Sequence, residues 1–356
     1  MKSFKLTYEN EPFFINIINT NINECIDNVL LTKLYKCKCK IDNIDLNKWE
    51  KYKKLHNDYE YIYTSSTNSR NIADISPISR SYFKIHEIIK DFNIENLDYC
   101  SCVAEGPGGF INCLLDMGCN LIYGITLLSN DKKIPFWSGK IFNQNDKVHL
   151  NRYKNTGNIY FKKTADDFIK SVKKSNLVTA DGGFDYSNDF NKQELTSYKL
   201  IYCEIYIALN IQQNKGSFIL KVFDIFYHKT IQLLYLLFLS YDEIYIYKPT
   251  ISRLSNSEKY IVCNGFKGFN KEIISILSKY YINTDLLYIE LSAKFIKIIQ
   301  EYNNIFVQNQ IDYINNILEF YCKNINERIK NQIKNSKEWC EKYDININED
   351  CIYLKY

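Results

Sequence analysis

From about residue 97 the chain alternates short apolar runs with longer helical patterns, and this alternation constrains the fold more than any other feature. Strand-length runs separated by helix-length stretches pair most readily as parallel strands joined by helical crossovers. The predicted strands are 98–104, 121–126, 176–180, 216–222 and 243–248, with a last one in the apolar run at 260–263. Helices are expected over 109–117, 165–173, 191–212 and 228–240, and the pattern Y-F-K-I-H-E-I-I-K-D-F places one between Ser81 and Phe92. The class is α/β, a Rossmann-like, mostly parallel central sheet flanked by helices.

Residues 1–80 read as irregular, polar and aromatic, and N-S-R-N-I-A-D-I-S-P-I-S-R reads as a loop. After about residue 270 the pattern turns helical, over 290–301, 307–323 and 325–341. The run N-E-R-I-K-N-Q-I-K in that tail reads as a solvated face. The expected organisation is an N-terminal extension (1–64), a central α/β domain (65–270) and a C-terminal helical region (271–356) packed on it. At 356 residues the chain can bury a sizeable core.

Composition narrows the function classes. Ile, Asn, Lys and Tyr are heavily used, as in coding from AT-rich DNA, so single Asn, Ile and Tyr residues carry less information than usual. A net charge of +4 permits a basic groove for nucleic acid without demanding one. The twelve cysteines are scattered and form no C-x-x-C pair, so no metal site is expected. Cys100 and Cys102 would share one face of a strand and read as buried thiols. The N-terminus has no apolar core of a secretory signal, and the longest apolar stretch, 231–239, is too short to cross a bilayer. An intracellular, cytoplasmic location follows, with the nucleus left open and no membrane partner.

Glu105-Gly106-Pro107-Gly108-Gly109-Phe110 follows a predicted strand and opens a predicted helix. That is the first βα turn of a doubly wound sheet, where glycines let the backbone approach a ligand. An ordinary tight turn is the plain alternative. The loop lacks G-x-G-x-x-G spacing, which argues against a dinucleotide. Asp181 ends the run N-L-V-T-A ahead of two glycines, so its carboxylate points into the cleft beyond the strand ends, although Asp–Gly also simply makes turns. Lys221 lies inside the apolar strand S-F-I-L-K-V-F, where a lysine is costly unless paired. A second cation nearby, Lys84, would lower its pKa and fit it to act as a base. Glu258 sits in S-R-L-S-N-S-E, where a solvated loop is the alternative and Arg253 and Ser255 suit a phosphate-contacting loop.

These segments resemble the FtsJ-like ribose 2′-O-methyltransferases, most closely the cap-specific mRNA enzymes of eukaryotes and large DNA viruses. The resemblance covers about residues 65–345. It is strongest in C-S-C-V-A-E-G-P-G-G-F, T-A-D-G-G-F, K-G-S-F-I-L-K-V-F-D-I-F and Y-K-P-T-I-S-R-L-S-N-S-E-K-Y-I-V-C-N-G-F-K. It implies the S-adenosylmethionine-dependent methyltransferase fold and a catalytic tetrad of Lys84, Asp181, Lys221 and Glu258. It implies a cofactor site formed by Ala104, Glu105, Gly106, Pro107, Gly108, Gly109, Phe110, Thr126, Asn158 and Asp181. Glu105 stands where many members have a small residue. Arg80 fits the family pattern for an RNA-backbone contact, and Asn191 lies near where members hold the capped end.

The implied reaction is methylation of the first transcribed nucleotide of capped mRNA, cap 0 to cap 1. Other capping enzymes or RNA polymerase are the implied partners, and host cytoplasm or the virion the place if the source is viral. The alternatives are the same chemistry on rRNA or tRNA, or a non-catalytic RNA-binding subunit of a capping complex.

Overall fold

The computed structural model describes residues 2–7, 24–131, 133–142, 146–150, 156–184, 186, 189–287, 289–319 and 325–355. Its strands are β1 (Ser3–Leu6), β2 (Tyr99–Val103), β3 (Leu121–Ile125), β4 (Val148–Leu150), β5 (Ser175–Ala180), β6 (Gln212–Val222), β7 (Tyr241–Tyr247) and β8 (Lys259–Phe266). Its helices are α1 (Asn28–Lys38), α2 (Leu46–His56), α3 (Ser81–Asp91), α4 (Gly109–Asp116), α5 (Gly139–Phe142), α6 (Lys162–Ser171), α7 (Gln193–Ile211), α8 (His228–Ser240), α9 (Lys271–Tyr280), α10 (Ala293–Leu318) and α11 (Ile325–Lys342).

The strands form one sheet in the order β1-β7-β8-β6-β5-β2-β3-β4. From β4 to β6 every pairing is parallel, and β8, β7 and β1 extend the sheet antiparallel. This is the mostly parallel, helix-flanked sheet expected from the run lengths. Alternation along each strand feeds two cores. Cys100 and Cys102 of β2 face the layer of α3, α4 and α11, whereas Val103 faces that of α6 to α9. Both cysteines are buried free thiols, as their spacing predicts.

Residues 1–80 depart from the expectation of irregularity. β1 pairs with β7, Ser3 opposite Tyr247 through Leu6 opposite Ile244. Asp27 and Asp45 cap α1 and α2 by accepting from Leu30 N and Lys48 N, each at 2.9 Å. α1 buries Leu30, Leu31, Leu34 and Cys37 against Phe226 and the α10 residues Val307, Ile311 and Ile314. Helices that find their apolar partners only far along the chain show a weak local signal. The tail also differs. α10 runs unbroken where two helices are expected, and the end of the 307–323 pattern lies outside the described residues. The N-E-R-I-K-N-Q-I-K run is not merely solvated. Arg328 Nε donates to Leu55 O at 2.9 Å, and Gln332 Nε2 to Asn57 O at 2.7 Å, fixing the end of α2.

Candidate functional site

Register assembles the centre of the site. Ala180 of β5 pairs with Leu220 of β6, and Lys221 with Tyr260 of β8. The next residue of β5's chain, Asp181, therefore lies beside Lys221, which lies beside Tyr260. Lys221 Nζ is 3.3 Å from Asp181 Oδ1 and donates to the Asp181 carbonyl at 2.6 Å. Tyr260 OH donates to Asp181 Oδ1 at 2.9 Å. Glu258, two residues before Tyr260, shares its face of the chain. It meets Lys84 of α3 at 2.6 Å and accepts from Ser252 Oγ at 2.9 Å. Lys248 Nζ donates to the Glu258 carbonyl at 2.6 Å. The four residues singled out from sequence thus stand as two ion pairs, Asp181–Lys221 at the carboxyl ends of β5 and β6 and Lys84–Glu258 between α3 and the residue just before β8.

Electrostatics reverse one expectation. Burial alone would depress the Lys221 pKa, but Asp181, Glu258 and Glu204 outweigh it, and the pKa is raised. The ammonium form is favoured, not the free amine expected from a nearby Lys84, because Lys84 pairs directly with Glu258. Burial would likewise raise the Glu258 carboxyl, but Lys84, Lys221 and Lys248 hold it at about 2.

The glycines of T-A-D-G-G-F have specific reasons. A Cβ on Gly182 would lie 2.3 Å from Glu204 Oε1, and one on Gly183 3.1 Å from Lys221 Nζ. Glu204 on α7 is buried, and burial pushes its pKa up to about 8. It is the single acid in L-I-Y-C-E-I-Y-I-A-L, residues 200–209, and that isolation was the available sequence signal for it.

The glycine loop lies at the end of β2, ahead of α4. Ala104 and Gly108 adopt φ of 54° and 110°, and Gly108 caps α4. Glycine at 108 serves this backbone and internal packing, since a Cβ there would strike Ile141 Cδ1 at 1.8 Å; approach of a ligand is not what that position requires. A Cβ on Gly109 would strike the Ser79 and Ser81 hydroxyls, and one on Gly106 the Pro135 carbonyl. The Gly106–Pro107 peptide is cis. Phe110 is fully buried against Tyr260, so only its backbone faces the loop. Thr126, at the end of β3, is buried with its Oγ1 3.0 Å from the Cβ position of Gly106. Asn158 Oδ1 accepts from Tyr160 N at 2.9 Å, and Gly157 packs directly on the Thr126 carbonyl.

Glu105 is 2% exposed. Its Oε1 accepts from Phe110 N at 2.8 Å, and its Oε2 has no hydrogen-bond partner. Burial pushes its pKa up to about 8, with the Phe110 and Ile111 N–H groups pulling the other way. An orphaned carboxylate oxygen at a strand end, beside a loop with left-handed residues, fits a ligand that brings its own polar group, as S-adenosylmethionine does with its ammonium and ribose hydroxyls. Ala104 through Phe110, Thr126, Asn158 and Asp181 are the residues available to hold it.

The basic residues expected at RNA are tied internally. Arg80 donates to the carbonyls of Tyr63 (2.7 Å) and Ile251 (3.1 Å). Burial lowers its pKa to about 10, with Glu60 opposing. Arg253 Nη2 meets Glu60 Oε1 at 3.2 Å. The Ser255 carbonyl accepts from Gln310 Nε2 at 2.9 Å, and the Asn191 carbonyl from Tyr35 OH at 2.6 Å. Sequence reading missed the N-terminal contribution altogether. Lys38 of α1 reaches Asp224 Oδ2 at 2.9 Å and Ser257 Oγ at 2.8 Å, the residues three past Lys221 and one before Glu258. Among the described residues no group of His, Cys, Asp and Glu could hold a metal, and no helix is long and apolar enough to cross a membrane.

A doubly wound sheet with a glycine loop after one strand and two lysine–carboxylate pairs at the ends of its neighbours defines a Rossmann-like methyltransferase. The chain belongs to the FtsJ-like methyltransferase family, whose model matches residues 77–266. A cap-specific mRNA (nucleoside-2′-O-)-methyltransferase of Autographa californica nuclear polyhedrosis virus is 30% identical over 205 residues, 56% of this chain and 75% of that protein. Cap-specific mRNA (nucleoside-2′-O-)-methyltransferase 2 of Pongo abelii is 42% identical over 132 residues, 36% of this chain and 17% of that protein. Form 1A of Caenorhabditis briggsae is 29% identical over 282 residues, 70% of this chain and 31% of that protein. The chain therefore spans less than a third of the length of these animal relatives.

Proposed function

We propose that this protein methylates the 2′-hydroxyl of the first transcribed nucleotide of capped mRNA, taking cap 0 to cap 1, with S-adenosylmethionine as donor. The observation that carries the reading is the pair of partly buried ion pairs, Lys221–Asp181 and Lys84–Glu258, beside the 104–110 loop. Relatives named as cap-specific 2′-O-methyltransferases, in animals and in a baculovirus, support it.

The bound donor supplies a methyl group on a sulfonium, already a good leaving group, so the protein's part is positioning and electrostatics. Lys221 is the central residue. After it releases its own proton to solvent, its neutral amine would take the proton of the 2′-hydroxyl as that oxygen bonds the methyl carbon and the carbon–sulfur bond of the donor breaks. Asp181 and Glu258 orient Lys221 and receive its charge when it becomes ammonium again. Lys84 keeps Glu258 ionised for that purpose. Arg80 and Arg253, fixed around Glu60, hold the Ile251–Glu258 segment and present positive potential to the RNA backbone. Asn191 and Ser255 line the approach to the capped end.

Methyl transfer is tested on capped, uncapped and structured RNA in parallel, with the labelled ribose mapped after digestion. Label confined to the first nucleotide after the cap, and lost with the cap, is the expected result. Label spread along uncapped RNA, or found only in structured rRNA or tRNA, assigns the chain to another substrate. No transfer to any RNA leaves a binding subunit.

A further inference from the structure

One peptide group in the site is held at both ends. The carbonyl of Asp181 accepts from Lys221 Nζ at 2.6 Å. The N–H of the same peptide, that of Gly182, donates to Glu204 Oε1 at 3.2 Å. A trans peptide directs its C=O and N–H to opposite sides. Lys221 and Glu204 therefore lie on either side of the Asp181–Gly182 link, with Glu204 on α7 below and Lys221 on β6 beside it. Glu204 is 1% exposed, with Leu200 and Ala104 packed around the same glycine, so its carboxyl has little room to move. Tyr260 fixes the Asp181 side chain separately.

We propose that Glu204 is a positioning residue that sets the orientation of the Asp181–Gly182 peptide and, through its carbonyl, the place of the Lys221 Nζ. The inference rests on the reading of Lys221 as the central residue of methyl transfer. If Gly182 N loses its acceptor, the peptide is free to rotate, and the Asp181 carbonyl no longer defines where the Lys221 head group sits. An isolated acid within an apolar helix is otherwise costly. This role also accounts for Gly182, where any side chain would enter the space of the carboxyl.

The test compares Glu204→Gln, Glu204→Asp and Glu204→Ala in the full chain. Gln keeps an acceptor oxygen at the same reach without the ionisable carboxyl. Asp keeps the carboxyl but draws the oxygen back from Gly182. The measurements are kcat and KM on capped transcript, S-adenosylmethionine Kd by calorimetry, and acetic anhydride labelling of Lys221 followed by mass spectrometry.

Gln is expected to keep kcat within about threefold, whereas Asp and Ala lower it by about tenfold or more with KM and Kd little changed, because misplacement of a reacting group acts on the chemical step. Lys221 in the Asp variant is expected to label faster than in wild type. Wild-type kcat and labelling in the Asp variant, or a Gln variant as impaired as the Asp variant, would overturn the clamp. If wild type itself fails to methylate capped RNA, the proposed function falls, and the Lys221 labelling comparison between Asp and Gln still decides whether Glu204 positions it.

Discussion

Lys221 and Asp181 neutralise each other in a place where neither is well hydrated, with side chains 11% and 13% exposed. Removing one partner leaves the other buried and unpaired, which typically costs about 3–5 kcal/mol. Lys221→Met is therefore expected to lower stability as well as abolish transfer, while S-adenosylmethionine affinity stays near wild type, because the role proposed for Lys221 is on the RNA hydroxyl. Adding Asp181→Asn should restore much of the stability, measured by urea unfolding, but none of the activity. Turnover of the single variant above about 5% of wild type would remove Lys221 from the centre of the mechanism. Glu258 offers a pH test. Its folded pKa of about 2 lies below the ordinary carboxylate value, so its contribution to stability is complete above that ordinary value and is lost as pH falls through about 2. Lys84 is the principal cation responsible, so Lys84→Met is expected to be more destabilising at pH 7 than at pH 3. Equal losses at both, by thermal melts, would show that the Lys84–Glu258 pair does not hold the carboxylate.

At the scale of the element, the loop after β2 is a strained turn whose glycines make room for the protein's own atoms. Gly108→Ala puts a Cβ 1.8 Å from Ile141 Cδ1 at a φ of 110°. The expected cost is about 1–3 kcal/mol, together with weakened S-adenosylmethionine binding as the loop shifts. Ile141→Ala in the same chain should relieve the clash but leave the backbone strain, so recovery should be partial. Full recovery would mean that packing alone demands the glycine. What was legible in the sequence follows from the same distinction between local and distant causes. β2, β5 and β6 could be read because strands buried on both faces are apolar throughout and end in turn residues. Asp181 and Lys221 stood out because they end or interrupt those runs, whereas Lys84 and Glu258 were singled out through the family resemblance. β1, α1 and α2 could not, since their partners, β7, α10 and Phe226, lie roughly two hundred residues away or more. Glu204 was hidden by a helix whose every other residue in that stretch belongs to the core, and Lys38 by looking like any surface lysine.

At the scale of the whole molecule, the described N-terminal residues both extend the sheet, through β1, and tie together the elements around the site. Lys2 forms ion pairs with Glu87 at 2.7 Å and Asp91 at 2.5 Å, and Glu87 is the fully buried acid one turn after Lys84 on α3. Glu87 also accepts from Thr250 N at 2.7 Å, Tyr247 OH at 2.8 Å and Trp339 Nε1 at 3.0 Å, joining β7, the segment that leads to Glu258, and α11. At the other rim Lys38 joins Asp224 to Ser257. Lys84 thus sits on a helix that Lys2 ties to the sheet, and Glu258 follows a residue that Lys38 holds. Residues 65–356 alone are expected to expose the apolar face of α10, open the edge of β7, leave Glu87 without Lys2 and leave Asp224 with Lys259 but not Lys38. Unpaired buried carboxylates and a bare strand edge each favour unfolding or association. Expressed without residues 1–64, the remainder should be aggregated or show no thermal shift with S-adenosylmethionine. The milder substitution Lys38→Met should keep the fold and lower kcat by displacing Glu258. A truncated chain that is monomeric, cooperative in its melt and as active as the full protein would show that the N-terminal contacts are incidental to the site.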